Sequence, residues 1–593
     1  MITSVAAVDA AAAKGAAPGP LIFRDTFESD SVTPPGGDGP PLAVKVVNKA
    51  AYGPRPGDVA AFDALGATDS DRLEAWVERQ IDPDAIPDTA CDNRVAAAAY
   101  APLSMTVPQL WAEYVRGDST DWPQRYHPTE TAYCVKLIRA LYSERQLYEL
   151  MVDFWHSHFN VMGWEFNIAP VFAHYDRDVM RGIGPGGKRY ALGNFRALLE
   201  QVAKAPAMLM YLDNKSSKRA GYNENFAREL CELHTLGAEN YYPGNDPEVV
   251  PPGENGVADG YCDNDVYEAA RALTGWTMRD AHWEFPDGPE YDTGEYMYYA
   301  GWHDPASKYF LHKFFAANRP AEVDGKQVFD LLAAHRLTAR HLCTKLCRRF
   351  IGDTPPQALI DEAAEEWQAH WQSDDQIARV MRIILTSDAF MSTWGEKVKR
   401  PWEALMHAMR ATSAEFTPRL RPASGWDAYV DFNDRVSATG NGPFRWPTPD
   451  GFPDTMQKWQ SVSPLSQTWR FVSRLLEMRD TGSGDTPFFL HVEQVTKASL
   501  TAGNRSAAAI VDFWIGRVYG YPIDAGRRQQ LVDFLRQNAA ATATLDLDED
   551  DTNAGVPQHQ GRWNGNNLSR HYTIARLRAT VALLLMLPEF FHR

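Results

Sequence analysis

The sequence predicts an all-α fold: a large multi-helical domain with long irregular loops and a small aromatic-rich hairpin. Three observations predict it. From Leu42 onward, apolar residues recur at the three- and four-residue spacing of helices. The recurring runs end at proline, glycine or capping residues. Alternation of period two is confined to a short aromatic stretch near residues 283–302. At 593 residues the chain is long enough to bury a large core without disulfides.

Taken in order, residues 1–42 are rich in Ala, Gly, Pro and Asp, with Pro34-Pro35-Gly36-Gly37-Asp38-Gly39-Pro40-Pro41 as a breaker cluster, and read as a flexible leader. Residues 43–593 read as one large helical domain, with candidate subdomains 43–350 and 351–593. Asp69 to Ile81 places Leu73, Trp76, Val77 and Ile81 on an apolar face. The same period predicts helices over Glu130 to Phe159, Gly193 to Tyr211, Asn223 to Leu236, Asn264 to Thr274, Gly325 to Ala334 and Thr338 to Phe350. It continues over Pro356 to Trp371, Ala378 to Thr386, Pro401 to Ala411, Pro464 to Met478, Ser506 to Tyr519, Ala525 to Asn538 and Ile574 to Leu587. Ser463 before Pro464 reads as a cap followed by proline at the first helical position. Trp283-Glu284-Phe285 and Tyr291 through Trp302 predict the hairpin or aromatic loop. Four prolines and three glycines between Thr439 and Pro453 exclude regular structure there. That segment is either a site-lining loop or a rigid strap over the core.

A formal net charge of −18 argues against a general nucleic-acid binder, which needs a basic face to displace counterions from phosphate. No apolar run reaches the roughly 18 residues of a membrane span. The first residues lack the basic and apolar regions of a secretion signal. The six cysteines, including Cys343 and Cys347 one turn apart, have no zinc-finger spacing and read as reduced packing residues.

The densest chemistry lies in Asn223-Glu224-Asn225-Phe226-Ala227-Arg228-Glu229-Leu230-Cys231-Glu232-Leu233-His234-Thr235-Leu236-Gly237. A helix there puts Phe226, Leu230 and Leu233 on an apolar stripe and Asn225, Glu229 and Glu232 on a polar one, with Glu224 and Arg228 spaced to pair. Gly237 reads as the stop, which leaves His234 in the last turn. Glu229 and Glu232 are candidates for acid–base work or metal ligation with His234. The alternative is that the carboxylates neutralise buried arginines and His234 is a core residue.

Several segments together resemble the bacterial family catalogued as domain of unknown function 1800. They are Asn48-Lys49-Ala50-Ala51-Tyr52-Gly53-Pro54-Arg55-Pro56-Gly57-Asp58, Phe154-Trp155-His156-Ser157-His158-Phe159-Asn160-Val161, Ala191-Leu192-Gly193-Asn194-Phe195-Arg196 and the 223–237 segment. Ala270-Arg271-Ala272-Leu273-Thr274-Gly275-Trp276, His303-Asp304 with Lys308, and the 447–451 loop complete the set. The resemblance covers roughly residues 45–593 and implies an exported, periplasmic or extracellular protein. It further implies a neighbouring protein similar to sulfatases and phosphatases, and it supplies no established reaction. Val46-Val47-Asn48 stands where a His-containing start is common, and the leader has no twin-arginine signal.

Other candidates carry alternatives of their own. His156 and His158 lie two apart, about 200° around a regular helix, so they can share a metal only if the helix unwinds at Ser157. His303 and Asp304 follow the aromatic loop on irregular backbone, where they can serve a pocket or form a turn before Pro305. Arg271 is a candidate partner for the Glu229/Glu232 face. Asp265 with Glu268 reads as a capping box, Asp213 as a turn residue, and the acidic run from Asp546 to Asp551 as a solvated loop. The expected function is an enzyme built from Glu229, Glu232 and His234 facing His303, Asp304 and His156 or His158. Its substrate would be a glycan or other small molecule, and its cofactor, if any, a divalent Zn, Mn or Fe ion. The rivals are a noncatalytic glycan- or protein-binding scaffold and a metal-dependent oxidoreductase. The Glu-x-x-His spacing of di-iron sites is absent from residues 229–234.

Overall fold

Proline and short polar caps divide the helical periodicity into shorter pieces than its spacing alone suggests. A computed structural model describes residues 39–117, 124–182, 189–422, 428–479, 488–537, 539–547 and 568–593, with side chains in the last segment from 573 onward. Helix accounts for 58% and strand for 6%, so the all-α class holds. Residues 1–38 of the expected leader and Asp548 to Asp551 of the acidic run lie outside the described residues. The first helix is Leu42–Lys49, all eight of its residues buried.

Asp69–Ile81 and Pro401–Ala411 form as the spacing predicts, the first capped by Thr68 and Asp71. The expected Glu130 to Phe159 helix is two, His127–Tyr142 and Gln146–His158. Asp88 draws the chain out between them, accepting from the Ser143 hydroxyl at 2.6 Å and the Glu144 N–H at 2.9 Å. Gly193 to Tyr211 likewise separates into Phe195–Lys204 and Pro206–Tyr211, because a residue before proline is driven out of the helical region and Ala205 is extended. Ser463 is not a cap: the helix is Val462–Leu475, with Ser461 at its N-cap. Asp265 also acts one turn later than expected. It is the third residue of Asp263–Ala272 and accepts from the Cys262 N–H at 3.0 Å.

One buried apolar cluster runs from Leu42 to Phe591 and crosses residue 350, so the candidate subdomains share a core. Helix Arg336–Phe350 packs on Gln357–Ala369, that helix on Gln376–Thr386, and the latter back on 69–81. The first helix meets the last residue: Arg593 donates to the Lys49 carbonyl at 3.2 Å, and Lys49 donates to the Phe390 carbonyl at 2.8 Å. All six cysteines are free and buried. Among the described residues no helix is long and apolar enough to cross a membrane.

The strands are short. Tyr241–Tyr242 pairs in parallel with Tyr261–Cys262, and Lys308–Phe310 pairs antiparallel with Lys313–Phe315. The aromatic hairpin forms from Trp276–Asp280 and Asp292–Tyr298, while Trp283-Glu284-Phe285 lies in its connecting loop.

A buried ion network fixes the middle of the 146–158 helix. Arg181 pairs with Glu149 at 2.7 Å and Asp176 at 3.0 Å, and Asp176 also lies 2.9 Å from His156 Nε2. Replacing Arg181 with Met strands two buried carboxylates, so Arg181→Met is expected to lose about 3–5 kcal/mol of stability, read by urea unfolding.

Candidate functional site

The cleft forms where the C-terminal end of the 146–158 helix meets the 336–350 helix and the proline-rich segment 443–455. The short helix Asn225–Glu232 is linked to it through the His234 carbonyl, 3.1 Å from His158 Nε2, and through the charge of Asp450 acting on Glu229. That proline-rich segment is a strap, and it also lines a cleft. Asn160 donates to the Trp446 and Thr448 carbonyls at 3.0 and 2.7 Å, and the Tyr211 hydroxyl donates to the Pro447 carbonyl at 2.9 Å. The Phe452 N–H donates to Ser157 Oγ at 3.1 Å. Gly451, at φ +73°, lies so close to the helix end that a Cβ there would sit 1.8 Å from the Ser157 carbonyl oxygen. Beneath the strap is a cleft of about 340 Å³ bordered by Lys345, Arg348, Arg349, Arg400, Asp450 and Asp454.

The 225–232 helix stops earlier than the sequence predicts. The His234 N–H reaches back five residues to the Glu229 carbonyl at 2.9 Å, and Gly237, at φ +93°, follows the turn. His234 therefore leaves the helix and enters the core, where it is 0% exposed beside the rings of Phe159 and Phe226. Neither of its ring nitrogens has a hydrogen-bond partner among the described residues. Burial, with the nearby Lys345 and His341 charges, pushes its pKa down to about 3.

Glu229 and Glu232 remain on the outer, half-buried face. Among the described residues neither carboxylate forms a hydrogen bond or an ion pair. Arg228 instead pairs with Asp263 at 3.3 Å and Glu224 at 3.4 Å. Burial, reinforced by the like charges of Glu232 and Asp450, raises Glu229 to about 7. Asp450 accepts from Trp446 Nε1 at 2.9 Å and from the Thr448 hydroxyl at 2.5 Å, both at Oδ1.

The expected metal set does not converge. The helix stays regular through His158, so His156 turns to Asp176 while His158 faces the cleft. Both nitrogens of His158 are engaged. Its Nε2 lies 3.1 Å from the His234 carbonyl, which assigns the proton there, and its Nδ1 accepts from the Lys345 amine at 2.9 Å. Burial, with the Lys345 charge, holds His158 well below its ordinary pKa. Glu229 faces outward and His234 inward, on opposite sides of the helix end. Among the described residues no group of three His, Cys, Asp or Glu side chains is placed to hold a metal, so these residues do not fit the expected divalent ion.

Arg271, His303 and Asp304 form a separate assembly. Arg271 pairs with Glu268 at 2.6 Å and Asp304 at 2.8 Å, not with Glu229 or Glu232. His303 Nδ1 donates to the Thr274 carbonyl at 2.9 Å, and its Nε2 lies 3.4 Å from Asp324, which also binds Lys308 at 2.7 Å. These contacts tie the loop after the hairpin to the helices Asp263–Ala272 and Val323–Ala334. Asp213, at φ +61°, is the turn residue expected.

Lys345 and Asp450 are the residues sequence reasoning passed over. His341, Lys345 and Arg348 recur at i, i+4 and i+7, a polar face that was legible in a helix read for its cysteines. Asp450 gave no spacing signal on irregular backbone.

The family model described as Protein of unknown function (DUF1800) matches residues 45–592. The chain belongs to this DUF1800 family. No curated protein and no solved structure matches it. The DUF1800 match includes the 225–232 helix, the strap and the cleft.

Two outcomes follow from this geometry. Gly451→Ala is expected to lift the strap, lowering stability by about 1–3 kcal/mol and speeding proteolysis between Trp446 and Thr455. His234 is neutral when folded and takes up a proton when unfolded below pH 6.5, so its contribution to stability falls as pH drops from 6.5 toward 3. His234→Leu should flatten that acid-side slope, by at most ~1.4 kcal/mol per pH unit, in urea titrations across that range.

Proposed function

We propose that the chain is a paired-carboxylate enzyme that hydrolyses a saccharide. The observation that carries this reading is the pair Glu229 and Glu232. Both are half-buried and without a hydrogen-bond or ion-pair partner among the described residues, and the charge of Asp450 on the strap acts on Glu229. A carboxyl group near pH 7 in its titration retains a proton at neutral pH and can give it to a leaving oxygen. Glu229 is the acid, and burial together with the neighbouring charge of Glu232 favours its protonated form. Asp450, oriented through Oδ1 by Trp446 and Thr448, keeps Oδ2 for a water molecule. The glycosidic C–O bond breaks as the Glu229 proton moves to the departing oxygen. The water oxygen bonds the anomeric carbon and its proton passes to Asp450. By the family resemblance, this reaction takes place in the periplasm or outside the cell.

A second reading, glycan binding without turnover, is favoured by Trp283. It is 82% exposed at the hairpin tip, stacked on His282 with the Lys218 amine 5.8 Å from its ring centre. Exposed indoles of this kind take the apolar faces of sugars.

Incubation with a panel of poly- and oligosaccharides, with mass spectrometry of new reducing ends, separates the two. The enzyme reading expects release that falls as pH rises through about 7, where Glu229 loses its proton. Glu229→Gln should lower kcat by about 10²–10⁴ while leaving substrate affinity intact. Saccharide binding with no reducing ends released at any pH would overturn the enzyme reading in favour of the second.

A further inference from the structure

The cleft under the strap carries the wrong charge for this protein. The chain's net charge is −18, yet Lys345, Arg348, Arg349 and Arg400 line the cleft against Asp450 and Asp454. Asp454 is already drawn to Lys397, 3.5 Å away. Behind the wall, Arg349, Arg400 and Arg593 share the single carboxylate of Glu403, at 2.5, 3.6 and 3.6 Å. The next carboxylate inward, Asp153, serves Lys136 at 2.6 Å as well as Arg400 at 3.6 Å. Two carboxylates thus face four buried cations.

The front of the cleft is less compensated still. Lys345 forms no ion pair among the described residues, and its one hydrogen bond goes to Nδ1 of a neutral His158. Arg348, one turn further along the same face, is exposed and also without an ion pair among the described residues. An ammonium and a guanidinium side by side repel each other, and burial adds a desolvation penalty to the first. Burial indeed lowers Lys345 to about 8, with Asp454 and Asp450 opposing the shift. An anion placed between the two groups relieves both costs and accepts charge-assisted hydrogen bonds from each.

We infer that this cleft is the anion subsite of the saccharide, in which Lys345 and Arg348 grip a carboxylate or sulfate group carried by the sugar. The inference rests on the saccharide reading above and narrows its substrate class to acidic glycans. Asp450 borders the subsite and its charge also acts on Glu229, so one strap residue is common to the subsite and the proposed acid.

Isothermal titration calorimetry of the full chain with trigalacturonate, a sulfated trisaccharide and neutral cellotriose tests this. One of the acidic ligands should bind at least about tenfold more tightly than cellotriose, and the one that does identifies carboxylate or sulfate as the group recognised. Arg348→Gln, an exposed substitution, and Lys345→Met should each erase about tenfold of that preference and much of its salt dependence. Glu229→Gln should keep it. Equal binding of acidic and neutral ligands, no binding of either, or a preference that survives in both variants would overturn the inference. Acidic preference without hydrolysis by any form would leave the subsite standing and overturn the enzyme reading alone.

Discussion

Glu403 is the constraint around which the rest of the structure is arranged. Its carboxylate opens the 401–411 helix by accepting the Arg400 N–H at 3.1 Å, and it is the shared counterion of Arg349, Arg400 and Arg593. Those three arginines come from the 336–350 helix, the start of the 401–411 helix and the C-terminal residue. Arg349 is 0% exposed and borders the cleft. Buried ion pairs contribute little net stability once desolvation is counted, but breaking one is severe. Their effect is to fix which elements meet, and here they bring a surplus of positive charge to one cavity.

Asp450 links that surplus to the carboxylates on the other side. It raises the proton affinity of both Glu229 and Lys345, although burial pushes those two groups in opposite senses. For Glu229 the two influences add to that of Glu232, and against Arg228 they raise its pKa to about 7. For Lys345 they oppose, and the ammonium is retained to about pH 8. A single strap residue therefore favours the protonated form of both Glu229 and Lys345. Its position depends on Gly451, whose missing Cβ lets the strap lie against the Ser157 carbonyl.

Helical spacing revealed the class of fold and most of its elements because it records which side of each helix is apolar. It did not reveal that Asp88 would break the chain at Ser143, since that contact spans 55 residues. Pro206 was a local signal for the other break and was legible. For the site, spacing placed Glu229 and Glu232 on one face correctly, and it showed that His156 and His158 diverge on a regular helix. What each face meets is a tertiary property. Nothing in the 270–276 and 303–308 segments announces that Arg271 and Asp304 satisfy each other, or that His303 is held by Thr274 and approaches Asp324.

The charged segment 225–234 resolves into three fates, and their difference is the argument for function there. Arg228 is drawn away to Asp263 and Glu224, and His234 is driven into an aromatic core as a neutral ring. Glu229 and Glu232 are left with each other. A carboxylate placed only to balance buried charge would have taken the guanidinium one residue away or turned to the cationic cleft. Instead Arg228 forms its ion pairs elsewhere and opposes the shift of Glu229 only through its charge, while burial, a second acid three residues on and a third on the strap outweigh it. Burial and the two like charges raise the energy of the ionised acid, and a fold that accumulates such penalties at one half-exposed carboxyl group is the physical ground for proposing Glu229 as a proton donor.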